Sequence, residues 1–92
     1  MDERSWRILV EAFVDGAIDA PAFEQQFLAM WREGRDAGAR ERYAVDLLFY
    51  EVDAYCADPA LRDEHDIDEA ELRAAARRCL ARWDEPWPSI AP

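Results

Sequence analysis

The chain has 92 residues, a length that supports one domain with one modest hydrophobic core. Its 21 acidic and 11 basic side chains give a formal net charge of −10 at pH 7. This charge argues against a nucleic-acid-binding protein, which needs a basic face to displace phosphate counterions, and it favours a basic partner or simple solubility.

The sequence gives no indication of export or membrane insertion. Residues 1–4 lack the basic region of a signal peptide, and no apolar run approaches the roughly 20 residues that span a bilayer. We therefore predict a cytoplasmic protein without membrane contact. In that compartment Cys56 and Cys79 should stay reduced, and we expect both to be small buried hydrophobic residues.

The first predicted helix covers residues 4–14. Its apolar side chains recur at helical spacing along one face: Trp6, Leu9, Val10 and Phe13. Gly16 supplies a C-terminal stop, because glycine readily adopts the left-handed conformation in which many helices end.

The second predicted helix begins at Asp19, a suitable N-cap, and has Pro21 in its first turn, where the missing N–H costs nothing. A regular apolar stripe follows: Phe23, Phe27, Met30 and Trp31. This stripe ends before Gly34 and Gly38.

The third predicted helix, residues 40–56, has two apolar faces. One should be core: Val45, Leu48, Phe49, Val52, Tyr55 and Cys56. The other lies nearly opposite: Tyr43, Leu47, Tyr50 and Ala54. Asp46 and Asp53 flank this second face on one side, and Glu51 flanks it on the other. Such a helix is either central in its domain or carries an exposed recognition stripe, which could also serve a homodimer.

The fourth predicted helix follows a loop that ends at Asp68. Asp68 as N-cap and Glu71 three residues later match the capping box, in which each side chain bonds the other residue's backbone N–H. The buried stripe of this helix should comprise Leu72, Ala76, Cys79, Leu80 and Trp83. The prolines of the following segment prevent further helix, although Trp87 could dock back onto the helices.

Short connections between amphipathic helices favour antiparallel neighbours. We therefore predict an all-α protein whose residues 1–85 form a compact antiparallel four-helix bundle. Residues 86–92 are predicted to form a proline-rich C-terminal tail.

The acidic residues are concentrated in one part of the chain. Residues 46–71 contain ten acids and one arginine, for a net charge of −9. Helix capping explains Asp68, Glu69 and Glu71, but it does not explain the acids that precede them. Clustered like charges repel each other and lower the stability of the fold. A cluster that capping does not explain therefore favours a role in binding a partner. A tyrosine within a carboxylate rim is typical of an interface hot spot. The predicted partner-binding residues are Asp46, Tyr50, Glu51, Asp53, Asp58, Asp63 and Glu64.

Catalytic and metal-binding patterns are absent from the sequence. The two serines, Ser5 and Ser89, lie near the chain ends, and the single histidine, His65, lies in the acidic stretch, so no nucleophile–base pair is indicated. Residues 63–71 lack the central glycine of an EF-hand, and there is no Glu-x-x-His pair or glycine-rich phosphate loop. We predict that the protein is not an enzyme and has no cofactor or metal.

A scattered pattern over residues 5–83 resembles the colicin D-type bacterial immunity proteins. The pattern comprises Phe13, Gly16-Ala17-Ile18, Phe23, Phe27, Trp31, Leu47-Leu48-Phe49, Val52-Asp53-Ala54-Tyr55, Asp58-Pro59, Leu61-Arg62, Ile67-Asp68 and Glu71-Leu72-Arg73. The resemblance implies a four-helix bundle that occludes the basic active site of a tRNA-cleaving bacteriocin domain, with carboxylates in place of RNA phosphates.

The resemblance also implies where the key carboxylates lie. In that family they come from the end of the third helix and the following loop, and two of these positions correspond to Asp53 and Asp58. A third corresponds to Cys56, which departs from the expected acid, so the partner contact there must differ. The other predicted residues follow from charge and geometry alone.

Two functional hypotheses remain at this point. The first is an immunity protein, a monomer or weak homodimer, that binds a basic toxin nuclease domain and no nucleic acid. The alternative is an acidic regulatory or adaptor protein that antagonises a DNA-binding partner. A third interpretation, an enzyme or metal carrier, predicts tight metal retention or a pocket.

Overall fold

The computed structural model describes residues 3–38 and 41–88, and it contains four helices. They are α1 (Glu3–Val14), α2 (Ala20–Asp36), α3 (Tyr43–Ala54) and α4 (Glu69–Ala81). In these two ranges the only β-type pairing is an isolated parallel bridge between Tyr55 and Ile67. The prediction of an all-α four-helix bundle is therefore confirmed. None of the helices in the described ranges is long and apolar enough to cross a membrane.

The predicted starts of α2 and α4 are set by side-chain hydrogen bonds, and the predicted end of α1 is set by a glycine. The Asp19 carboxylate accepts a bond of 2.9 Å from the Ala22 amide. At α4, the Asp68 carboxylate accepts from the Glu71 amide at 2.8 Å, and the Glu71 carboxylate accepts in return from the Asp68 amide. Gly16 adopts a φ of +82° just after α1, so both caps and this stop are confirmed.

The second helix continues beyond the end of its predicted apolar stripe. The helix continues to Asp36, and Gly34 is buried inside it. A glycine within a helix costs only about 1 kcal/mol relative to alanine, which the packed turns around it can offset. The chain leaves the helix at Gly38, whose φ is +75°.

The third helix is shorter than predicted at both ends. The predicted start, Arg40, lies outside the described residues, and α3 begins at Tyr43. At the other end Tyr55 is already extended, with a φ of −68° and a ψ of 130°. The cause is pairing with Ile67, whose amide donates to the Ala54 carbonyl at 2.9 Å.

The early end of α3 removes two residues from its predicted core face. Tyr55 and Cys56 lie in the connection after the helix and are only half-buried. The Cys56 amide donates to the Ile67 carbonyl at 3.1 Å, and its thiol donates to the Asp58 carbonyl at 3.5 Å. The prediction that Cys56 is buried is therefore wrong, whereas Cys79 is buried as predicted.

The central helix of the bundle is α4, which packs against the other three helices. Its predicted stripe is buried except for Leu80, which is partly exposed. The interpretation of α3 as the central helix is therefore wrong. The largest fully buried side chains come from all four helices: Trp6, Val10, Phe13, Phe23, Phe27, Val45, Leu48, Val52 and Leu72.

Contacts at both ends of α4 show that α1 runs antiparallel to it. Near the start of α4, the Arg73 side chain donates to the Phe13 carbonyl and lies 4.3 Å above the Phe13 ring. Beyond the end of α4, the Trp83 ring lies 5.6 Å from the Arg7 guanidinium near the start of α1.

The third helix is also antiparallel to α4. Arg42, just before α3, donates to the Trp83 carbonyl, and the Tyr55–Ile67 bridge joins the opposite ends. One end of the bundle therefore gathers the end of α3 and the start of α4.

The segment after α4 returns to the start of α3. The Trp87 indole N–H donates to the Glu41 carbonyl at 3.1 Å, and the Trp87 ring lies 5.3 Å from that of Tyr43. Trp87 therefore docks on the helices and partly covers Tyr43. Residues 89–92 of the predicted tail lie outside the described residues.

Candidate partner-binding surface

The connection between α3 and α4, residues 55–67, forms a closed loop that we call the acidic loop. The bridge between Tyr55 and Ile67 fixes its two ends side by side. The loop therefore leaves and re-enters the bundle at one place, and its position is tied to the end of α3 and the start of α4.

The single arginine of the acidic stretch stabilises this loop from within. Arg62 is half-buried, and its Nε and Nη2 atoms donate to the Cys56 carbonyl at 3.1 and 2.9 Å. Both donors on one carbonyl tie the middle of the loop to its beginning. The Arg62 charge is thus committed to the loop itself, a role that no local sequence pattern indicates.

Two of the predicted carboxylates shape the loop and also face solvent. The Asp58 Oδ1 atom accepts from the Ala60 amide at 2.9 Å, and the Asp63 Oδ1 atom accepts from the His65 amide at 2.8 Å. Both aspartates are exposed. Because an ionised carboxylate offers about four acceptor positions, each retains capacity for a partner's donors.

Glu64 and His65 are exposed in the second half of the loop. Their side chains approach to 3.5 Å, between His65 Nε2 and Glu64 Oε1. At this exposure such a pair adds little to stability. His65 has no second orienting group among these contacts.

Three of the predicted residues share one face of α3, which leads into the acidic loop. Asp46, Tyr50 and Asp53 are spaced i, i+4 and i+7, so they lie above one another. Asp53 and Tyr50 are exposed, Tyr50 by 64%, whereas Asp46 is half-buried. The Tyr50 ring packs edge-on against Phe49 at 5.8 Å. We call these three residues the α3 acidic face.

Glu51 is set apart from the other predicted carboxylates. It lies on the side of α3 that faces α4 and lines a groove with Arg78 and Arg82. Its local surroundings are therefore basic, unlike those of the acidic loop. The position of the two arginines depends on how α3 packs on α4, which the sequence pattern did not show.

Glu69 has a role that local capping does not describe. Its carboxylate accepts from the Ala20 amide, at the first residue of α2, at 2.8 Å, and lies 3.6 Å from the Arg73 guanidinium. It thereby satisfies one of the free N–H groups of another helix. Glu69 therefore contributes to the scaffold, although it is also exposed.

Two titratable groups near this surface have raised pKa values. Burial raises the pKa of the Cys79 thiol to about 12, so the thiol is protonated and unreactive at neutral pH. Partial burial, and then the nearby carboxylates of Glu69 and Glu24, raise the pKa of the Tyr55 hydroxyl. No group of three or more His, Cys, Asp or Glu within residues 3–38 and 41–88 is placed to hold a metal ion.

We expect Arg62→Lys to loosen the acidic loop without changing its charge. Lysine cannot reproduce the two-nitrogen contact with the Cys56 carbonyl. A hydrogen bond from a charged donor is worth about 1.5–3 kcal/mol, so amide hydrogen exchange at Leu61 should accelerate at least roughly tenfold. The Leu61 amide reports on the loop because it donates to the Asp58 carbonyl at 3.0 Å.

The matched control is Arg35→Lys, an exposed position in the last turn of α2. It should leave exchange at Leu61 unchanged. Equal exchange rates in Arg62→Lys and the unaltered protein would show that Arg62 does not hold the loop.

Comparison with known proteins identifies one family. A family model described as bacterial self-protective colicin-like immunity matches residues 5–83, a range that includes nearly all of α1 and the whole of α2, α3 and α4. No curated protein and no solved structure matches the chain significantly.

Proposed function

This chain belongs to the family of bacterial self-protective colicin-like immunity proteins, and we propose that it protects by covering the basic active site of its cognate toxin. The toxin we propose is a ribonuclease that cleaves tRNA in the cytoplasm. The observation that carries this proposal is the set of exposed carboxylates on the α3 acidic face and the acidic loop, held by a closed backbone and by Arg62.

The proposed mechanism is carboxylate mimicry of phosphates. A nuclease that binds RNA presents lysine and arginine side chains to phosphate oxygens. Carboxylates can accept hydrogen bonds from the same side chains. Asp53 and Asp58 are the central contacts in this proposal. Asp46, Asp63 and Glu64 add acidic charge around them, and Tyr50 is the apolar anchor.

The closed backbone of the acidic loop supports inhibition by direct blockade. Ordering a flexible loop during binding would cost free energy, and a loop that is already closed avoids most of that cost. The charge of the surface should also attract a basic partner over several ångströms, which speeds association at low salt. Both effects suit an inhibitor that must capture a toxin before it reaches its substrate.

Co-expression in bacteria tests this function. Basic nuclease domains of colicin-like toxins, and toxin domains that lack nuclease activity, are each induced with or without this chain, and growth, intact tRNA and co-purification are measured. We expect one toxin to lose its effect on growth and tRNA and to co-purify with the chain. Rescue without a complex, or protection only against toxins that lack nuclease activity, would contradict the proposal.

The same experiment separates the alternative hypothesis of an acidic regulator. Such a protein would release a DNA-binding partner from DNA and would leave tRNA cleavage unchanged. The family match favours immunity because it concerns self-protection, whereas only the overall acidity supports the regulator.

A further inference from the structure

A groove of about 280 Å³ runs between α3 and α4, next to the α3 acidic face. Leu48, Ala75 and Cys79 are buried residues of its lining, and Leu47 lines one side. Tyr50 lies at the α3 edge and belongs to both surfaces. The groove is therefore apolar inside and continuous with the proposed toxin-binding surface.

The edges of the groove carry a local excess of positive charge. Arg78 is exposed and Arg82 is half-buried on the α4 side, opposite the single carboxylate of Glu51. Within the part of the chain that the structure describes, neither guanidinium forms an ion pair. This contrasts with Arg42 and Arg73, which pair with Asp84 and Glu69.

The sign of this charge determines which occupant suits the groove. A cationic side chain would meet two guanidinium groups and one carboxylate, so it would be repelled. A carboxylate can accept paired N–H bonds from an arginine, while an apolar group attached to it fills the space between Leu47 and Ala75.

We propose that the groove binds an apolar side chain of the cognate toxin that is flanked by a carboxylate. This inference rests on the proposed function, because the same toxin would contact the acidic surface and the groove together. The acidic surface is negatively charged, whereas the edges of the groove carry an excess of positive charge. A partner must therefore present a basic patch beside an acidic one, which discriminates against nucleases that are basic throughout.

The chemistry of the groove can be tested without the toxin. The ¹⁵N-labelled protein is titrated with 3-phenylpropionate and, separately, with 3-phenylpropylamine, which has the same ring and the opposite charge. We expect the acid to shift the amide signals of Leu47, Ala75 and Cys79, and the amine to leave them unchanged. Equal shifts with both probes, or none with the acid, would overturn the proposal.

Two charge reversals on α4 provide a matched pair. Arg78 lines the groove, and the neighbouring exposed Arg77 does not. Arg78→Glu should weaken 3-phenylpropionate binding about tenfold, as expected for the loss of a charge-assisted contact, and Arg77→Glu should leave it unchanged. Equal weakening by both would show that only the general charge of α4 acts on the probe.

The same pair tests the toxin contact once co-expression has identified the toxin. Each reversal makes the chain more acidic by two charges, so long-range attraction should rise equally. The groove predicts that Arg78→Glu nevertheless dissociates about tenfold faster, whereas Arg77→Glu does not. Equal dissociation rates would overturn the groove proposal and leave the proposed function intact. If no toxin binds the unaltered chain, the proposed function fails, and the titration still decides the chemistry of the groove.

Discussion

The double substitution Asp53→Lys/Asp58→Lys is expected to abolish protection while leaving the helical content unchanged. Both residues are exposed and lie outside the core, so the bundle should fold. Removing one partner from a desolvated charge pair costs about 2–5 kcal/mol. Two such losses reduce affinity roughly a thousandfold or more, because each 1.4 kcal/mol is a factor of ten. Growth rescue and the toxin dissociation constant are the measurements.

Asp58 needs a second variant because its carboxylate also shapes the loop. Asp58 Oδ1 accepts from the Ala60 amide, and lysine would remove that bond. Asp58→Asn keeps an oxygen acceptor and removes only the charge. We expect Asp58→Asn to lose most of the affinity that the Asp58→Lys single variant loses, with unchanged amide exchange at Ala60. Full protection by Asp58→Asn would show that the charge of Asp58 does not contact the toxin.

A control must separate a specific contact from the general acidity of the chain. Glu33→Lys/Glu85→Lys makes the same charge change at exposed positions near the opposite end of the bundle. It should slow association modestly at low salt and have little effect at higher ionic strength, where distant charges are screened. Equal losses from the two double variants at high salt would contradict the assignment of Asp53 and Asp58.

Features that depend on neighbours in sequence could be predicted, and those that depend on distant contacts could not. The caps at Asp19 and Asp68 were predictable because both partners lie within three residues. The end of α3 was not, because Ile67, which pairs with the chain at Ala54 and Cys56, lies more than ten residues further on. Gly34 shows the same limit, since burial within the bundle overrides its weak preference against helix.

The candidate site also has some features that sequence neighbours determine and others that distant contacts determine. Counting charges along the sequence locates the acidic stretch, and helical spacing places Asp46, Tyr50 and Asp53 on one face. The use of Arg62 inside the loop follows from the folded backbone, which brings the Cys56 carbonyl to it. The basic surroundings of Glu51 come from α4, so they are invisible until the two helices are packed.

The largest expected effect on stability is that of Phe27→Ala. Phe27 is fully buried and joins the helices through aromatic contacts. Its ring meets Trp6 of α1 edge-on at 4.8 Å and stacks at 6.1 Å on Trp31, which in turn stacks on Phe49 of α3 at 4.3 Å. Replacing a buried phenylalanine by alanine costs about 3–5 kcal/mol, because transfer free energy is lost and a cavity remains.

Such a loss is a large part of the 5–15 kcal/mol that typically stabilises a small domain. Urea unfolding followed by circular dichroism should therefore show a much lower midpoint for Phe27→Ala. Ile8→Ala is the control, since Ile8 is also helical but 57% exposed and should change the free energy of unfolding little. Equal midpoints for the two variants would mean that the aromatic contacts do not hold the helices together.

The consequence for function follows from where this aromatic series ends. Phe49 packs against Tyr50, so the series from Trp6 to Phe49 reaches the α3 acidic face. In Phe27→Ala the carboxylates are all present, but the helix that carries them has lost part of its support. We therefore expect reduced protection at 37 °C and recovery at lower temperature, where more of the variant is folded. The Asp53→Lys/Asp58→Lys variant should show no such recovery, since it lacks the contacts at every temperature.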